Sequence, residues 1–136
     1  MKRWLLAIIV VIALALSATA LRHVLKEEAN KKREVAYQSA LQAYSQNLRP
    51  GLTRRDVEKY LRARDITFLR MCCVEEQSAL ADLVKVGEED APWYCSEYYV
   101  FVAFEFAATE SHQTLEFYDS DVLKKVTIFR QLDGCL

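Results

Sequence analysis

The chain predicts an α+β domain behind an apolar N-terminal helix, with two helices packed on a three- to four-stranded antiparallel sheet. Three observations carry this. Residues 4–21, WLLAIIVVIALALSATAL, hold no charge and follow Lys2 and Arg3. Residues 22–64 keep apolar side chains at helical spacing, broken once at Arg49-Pro50-Gly51. From Ile66 onward, β-branched and aromatic residues dominate and alternate with period two. The expected divisions are 1–21 as a membrane anchor or uncleaved signal, 22–48 as a helical stalk and first docking helix, and 49–136 as the small α+β domain.

A basic start followed by an apolar block reads as an export signal or an anchor. The uncharged stretch is about as long as the shortest helix that spans a bilayer. Ala18-Thr19-Ala20 also offers small residues for cleavage, so both fates stay open; Arg22 just beyond that point, and helix without Gly or Pro from Leu5 to Leu48, favour retention. No cysteine closely follows the block, which argues against lipid attachment. For orientation, Arg22, Lys26, Lys31, Lys32 and Arg33 outnumber Lys2 and Arg3, which alone would keep the bulk of the chain in the cytoplasm. The short basic start and four later cysteines favour the opposite, a single-pass protein with its domain periplasmic or otherwise extracytoplasmic.

Residues 22–47 are rich in Ala, Lys, Glu and Gln and suit a helix. Its first half is polar all round. Tyr37, Leu41, Tyr44 and Leu48 then fall on one face and should dock. Pro50 stops the helix. Thr53 and Asp56 fit a capping box, and Leu52 and Val57 a hydrophobic staple, so a second helix is expected over about 54–64. Val57, Tyr60, Leu61 and Arg64 share one side of it, and Arg55, Lys59 and Arg62 another.

Strands are expected at 66–74, 80–87, 97–107 and 121–132, with residues 115–118 pairing onto the last. In the strongest of them, Tyr98, Val100, Val102, Phe104 and Phe106 point toward the helices, and Tyr99, Phe101, Ala103, Glu105 and Ala107 point away. Charge is uneven along the chain. Residues 22–70 carry a net +6 and residues 71–136 a net −9. That asymmetry makes either a basic and an acidic surface or a fold whose halves neutralise each other.

Few residues suggest chemistry. An arginine pair beside Gly51 invites a phosphate reading, but a nucleotide-cradling loop needs more glycines and a lysine at fixed spacing. Thr53 is explained by capping. His23 lies in the stalk and His112 in a polar loop, and Glu88-Glu89-Asp90 reads as a solvated run before Pro92. No catalytic, cofactor-binding or metal-binding residue is assigned, and neither nucleic acid nor a small-molecule substrate is indicated. Cys72, Cys73, Cys95 and Cys135 lack the short Cys-x-x-Cys spacing of zinc or redox sites. In an exported chain they predict two disulfides. A bridge between adjacent Cys72 and Cys73 would strain the peptide, so each is expected to pair with either Cys95 or Cys135; in the cytoplasm all four would be thiols. Contact candidates are Arg55, Lys59 and Arg62 on the second helix, with Trp93, Tyr94 and Tyr99, because tyrosine and tryptophan dominate binding hot spots.

Pro50-Gly51-Leu52-Thr53-Arg54-Arg55-Asp56-Val57 resembles the opening of the SmpA/OmlA, BamE-like, family, with Gly51 and Thr53 as the matching cap residues. The resemblance implies a small exported domain of two helices on a three-stranded antiparallel sheet, an arrangement shared with β-lactamase inhibitor proteins. It also implies a non-catalytic role in outer-membrane protein assembly. The chain departs from the family in lacking its lipid-attachment cysteine, and Arg62-Ala63-Arg64-Asp65 stands where the family has Gly-x-Pro. The reading that follows is a membrane-anchored envelope protein that binds an unidentified envelope protein. The alternatives are an inhibitor-type domain docking on an envelope enzyme, and a thiol-redox enzyme.

Overall fold

The computed structural model describes residues 2–74, 79–107 and 117–136, with the backbone alone at residues 2, 3, 5–7, 9, 73, 74 and 79. Helix α1 spans Lys2–Asn47 and α2 spans Arg54–Arg62. Strands β1 (Leu69–Val74), β2 (Ala79–Glu88), β3 (Glu97–Ala107) and β4 (Val122–Asp133) follow. They form one antiparallel sheet in sequential order. The α+β class and the antiparallel sheet expected from the sequence are therefore present, with four strands.

The chain divides into two compact units, Met1–Val35 and Ala36–Leu136. The first is helical, and its apolar side chains Trp4, Ile8, Val11, Leu14 and Leu16 are exposed. Among the described residues, no helix is long and apolar enough to cross a membrane. Within α1 the expected border at residue 21 is not marked, and the compact unit begins at Ala36, inside the expected stalk.

In the second unit the end of α1 docks by the predicted face. Tyr37 and Leu48 are buried, and Leu41 and Tyr44 pack on the main core. The Tyr44 ring meets Phe104 edge-on at 5.4 Å, a favoured aromatic geometry. The Tyr37 hydroxyl donates to the Glu88 carbonyl at 2.9 Å. Its ring lies over Gly87, where an added Cβ would stand 2.5 Å from Tyr37 Cε1. Only glycine fits under that ring.

The turn after α1 needs Gly51, whose φ of 100° lies in the left-handed region. Thr53 caps α2: its Oγ1 accepts from Asp56 N at 3.3 Å and donates to Asp56 Oδ2 at 2.7 Å. Val57 and Leu61 are fully buried, and Leu52 packs on the same cluster as Val57. At the other end Asp65 has φ 55°, and Ile66 N donates to Leu61 O at 3.1 Å. This left-handed exit closes the last helical carbonyls and delays β1 to Leu69, three residues later than expected.

Strand β3 is paired on both sides. Val102, Phe104 and Phe106 face the helices with Leu48, Val57, Leu61, Val84 and Leu123. On the opposite face Phe101 and Ala103 join Ala81 and Leu83, flanked by Met71, Tyr99 and Phe129. Glu105, also on that face, is buried but accepts from Thr127 Oγ1 at 3.0 Å and lies 3.1 Å from Lys125 Nζ. Phe117 and Tyr118 are outside the strands. The rest of the 115–118 expectation, and His112, lie outside the described residues.

The disulfide expectation is corrected. Cys95 is joined to Cys135, so neither reaches Cys72 or Cys73. Register explains the outcome. Glu97 pairs with Asp133, so the residue two before β3 and the residue two after β4 leave the sheet side by side. Cys72 sits on β1, with β2 and β3 between it and β4. It is exposed, and the side chain of Cys73 lies outside the described residues.

Candidate functional site

The sequence-selected cations Arg55, Lys59 and Arg62 line one groove on α2, of about 620 Å³, with Glu58, Ala63, Arg70 of β1 and Asp119. Helical spacing places the three cations on one side of α2. The groove is shaped by Glu58, which is 5% exposed. Its Oε1 accepts from Arg70 Nε at 2.9 Å and from Arg70 Nη2 at 2.5 Å, and its Oε2 accepts from Arg62 Nη2 at 2.8 Å. One buried carboxylate thus orients two guanidinium groups. Its hydrogen bond also holds Arg70 above the ordinary arginine range. Arg55 donates from Nη2 to Asp119 Oδ2 at 3.2 Å. Lys59 takes part in none of these pairs. The four cations outnumber the two carboxylates, so the groove keeps a net positive charge among its described residues.

The N-terminus of α2 is not a vacant anion site. Arg54 N donates to Asp121 O at 2.8 Å and Arg55 N to Asp119 O at 3.2 Å. Asp56 N and Val57 N are taken by Thr53. Donors already engaged by the chain are not offered to a phosphate.

Arg54, which sequence reasoning passed over, is the most deeply placed charge. It is fully buried, with Nη1 2.5 Å from Asp82 Oδ1 and Nη2 3.4 Å from Asp121 Oδ2. Its guanidinium lies 4.0 Å from the centroid of Phe106 and 5.0 Å from that of Phe117, a cation–π arrangement. Burial pushes the Asp82 carboxyl up to about 6, Arg54 pulling the other way without compensating and Glu58 adding to the rise. The network joins α2, β2 and the turn before β4. Its role is to hold the elements that carry the groove.

Of the aromatic candidates, Trp93 and Tyr94 lie together on the β2–β3 connection, with ring centroids 5.8 Å apart at 89°. Trp93 is 91% exposed and Tyr94 43%. The connection is held rigidly: Cys95 is tied to Cys135, Leu136 N donates to Tyr94 O at 2.9 Å, and Cys95 N donates to Pro92 O at 2.9 Å. Tyr99 belongs elsewhere. It lies on the sheet face away from the helices, its hydroxyl donating to Glu97 and its ring 4.1 Å from Lys85 Nζ. It lines a second groove of about 360 Å³ with Phe68, Leu69, Leu83 and Phe101. Tyr99 takes its face from the sheet, where it pairs with Glu88 in the β2–β3 register.

His23 stands 3.6 Å from Glu27 on α1. Glu88 pairs with Lys85 and Glu89 with Arg130. Among the described residues, no group of His, Cys, Asp or Glu could hold a metal ion. Compared with protein-family models, with curated proteins and with solved structures, the chain matches none.

Proposed function

We propose that the chain is a non-catalytic interaction module of the bacterial cell envelope, held to a membrane through residues 4–21, with its domain outside the cytoplasm. The uncharged stretch behind Lys2 and Arg3 supports the anchor. The Cys95–Cys135 disulfide fits an oxidising compartment. The resemblance of residues 50–57 to BamE-like domains points to the same compartment and to an assembly role.

The observation that carries the binding reading is Trp93, 91% exposed on a connection that a disulfide holds in place. Covering an exposed tryptophan buries a large apolar area, and a loop already held by a disulfide loses little entropy when that happens, which makes it a good binding anchor. With the basic α2 groove it makes two contact surfaces for a partner protein. The test is site-specific photo-crosslinking in intact cells from positions 93 and 62, with Lys124 as an exposed control. A discrete protein adduct from positions 93 and 62 and none from 124 is expected. Lack of any protein adduct at both positions would sink the reading.

A rival reading uses the same knob. In an inhibitor-type domain Trp93 would enter the cleft of an envelope enzyme. The adduct would then contain one enzyme, and Trp93→Ala would restore that enzyme's activity.

A further inference from the structure

We propose that the groove between α2 and β1 takes an extended, carboxylate-rich segment of a partner protein; this rests on the interaction-module reading and names the chemistry of one of its two surfaces. The first support is charge. Arg55, Lys59, Arg62 and Arg70 face Glu58 and Asp119 in one groove, so two positive charges are left over. The second is geometry. Glu58, buried beneath the groove, holds Arg62 at 2.8 Å through one oxygen and Arg70 at 2.5 Å through the other. The guanidinium groups are therefore oriented before any ligand arrives, and the N–H groups that Glu58 does not take offer charge-assisted hydrogen bonds to a carboxylate.

Spacing selects the shape of the segment. Arg55 and Lys59 are four residues apart on α2, about 6 Å along the helix axis. An extended chain advances about 3.3 Å per residue and presents every second side chain to one face, so carboxylates two residues apart match that interval. Strand β1, which supplies Arg70, is the outer strand of the described sheet, and an extended peptide can lie along such an edge. A helical acidic segment would need its carboxylates four residues apart and would not pair along β1.

The test uses the full chain in zwitterionic nanodiscs and a fluorescent peptide with glutamate at every second position. Saturable binding by anisotropy is expected, weakening steeply with salt and lost when the glutamates are replaced by glutamine. Lys59→Glu, a residue outside the groove's described ion pairs, should weaken binding by about tenfold. Lys124→Glu makes the same change in net charge on β4 and should leave it unaltered. Equal binding by the glutamine peptide, or equal weakening by Lys124→Glu, would overturn the assignment. So would failure of the peptide to bind while the chain sediments with phosphatidylglycerol vesicles through Lys59, which would make the groove a lipid site. Adducts from position 93 in cells with no peptide binding would remove the groove assignment and leave the module reading standing.

Discussion

Arg54 and Asp82 form an ion pair with Nη1 and Oδ1 2.5 Å apart and both side chains fully buried. Asp121 adds a second carboxylate at 3.4 Å. Among the described residues, Arg54 Nε, Asp82 Oδ2 and Asp121 Oδ1 have no hydrogen-bond partner, so the network is costly to keep and costlier to break. Replacing Arg54 with methionine preserves much of its apolar volume but leaves two buried acids without their cation. Breaking a buried pair from one side costs about 3–5 kcal/mol. Arg54→Met should therefore lower stability by about that amount in chemical denaturation. Adding Asp82→Asn and Asp121→Asn should recover part of it, since the uncompensated charges are gone. A single variant as stable as the parent chain would show that Arg54 does not hold α2 to the sheet.

Asp82 also gives the domain a pH dependence of unusual sign. Its carboxyl is raised to about 6 by burial, above the ordinary carboxylate value. The folded state then binds this proton more tightly than the unfolded chain does. The stabilisation from that proton is complete below about pH 4 and is lost as pH rises through about 6. The whole effect is about 3 kcal/mol at most. Thermal melts of the parent chain and of Asp82→Asn across pH 4 to 7.5 separate it from the other carboxylates. The parent should lose stability relative to the variant as pH rises from 4 to 6, with parallel curves above 7. A difference independent of pH would rule the mechanism out.

What was legible in the sequence was mostly local. The Thr53 cap, the Leu52 and Val57 staple and the docking face of Tyr37, Leu41, Tyr44 and Leu48 are set by neighbours within a turn or two. The alternation of β3 is equally local, and so is the grouping of Arg55, Lys59 and Arg62. What escaped depends on register between distant segments. Arg54 in Thr-Arg-Arg-Asp reads as a solvated cation, yet a signal existed at Asp82. It interrupts the apolar run Leu80–Val84 and, paired with Phe104, shares the parity of core residues. An acid at a helix-facing position asks for a buried cation. The disulfide was missed for the same reason, since only the Glu97–Asp133 register brings Cys95 beside Cys135.

Gly87 and Tyr37 make a tight contact between β2 and the end of α1. A Cβ on Gly87 would lie 2.5 Å from Tyr37 Cε1 and 2.8 Å from its hydroxyl oxygen. The ring would have to move, and its hydrogen bond to the Glu88 carbonyl at 2.9 Å would go with it. Overpacking of this kind costs about 1–3 kcal/mol, and Gly87→Ala should show it. Tyr37→Leu should also destabilise, by loss of packing and of the hydrogen bond. Because the ring is then absent, the two changes together should cost less than their sum. Additive costs in a double-mutant cycle would mean that Gly87 is not reserved for Tyr37.

The Cys95–Cys135 bridge closes a loop of 40 residues in sequence that contains all of β3 and β4. A cross-link over such a distance restricts the unfolded chain, and removing it costs about 2–4 kcal/mol. Cys135→Ser should fall in that range, whereas Cys72→Ser, at an exposed position on β1, should change stability little. Peptide mapping of the non-reduced chain should recover Cys95 and Cys135 in one linked fragment. The bridge also bears on binding, because Trp93 and Tyr94 precede Cys95 directly. Without it the connection should gain freedom, and crosslinking from position 93 should weaken while crosslinking from position 62 persists. Loss at both positions would mean that the substitution unfolds the domain, and loss at neither would mean that the aromatic pair does not depend on the bridge for its geometry.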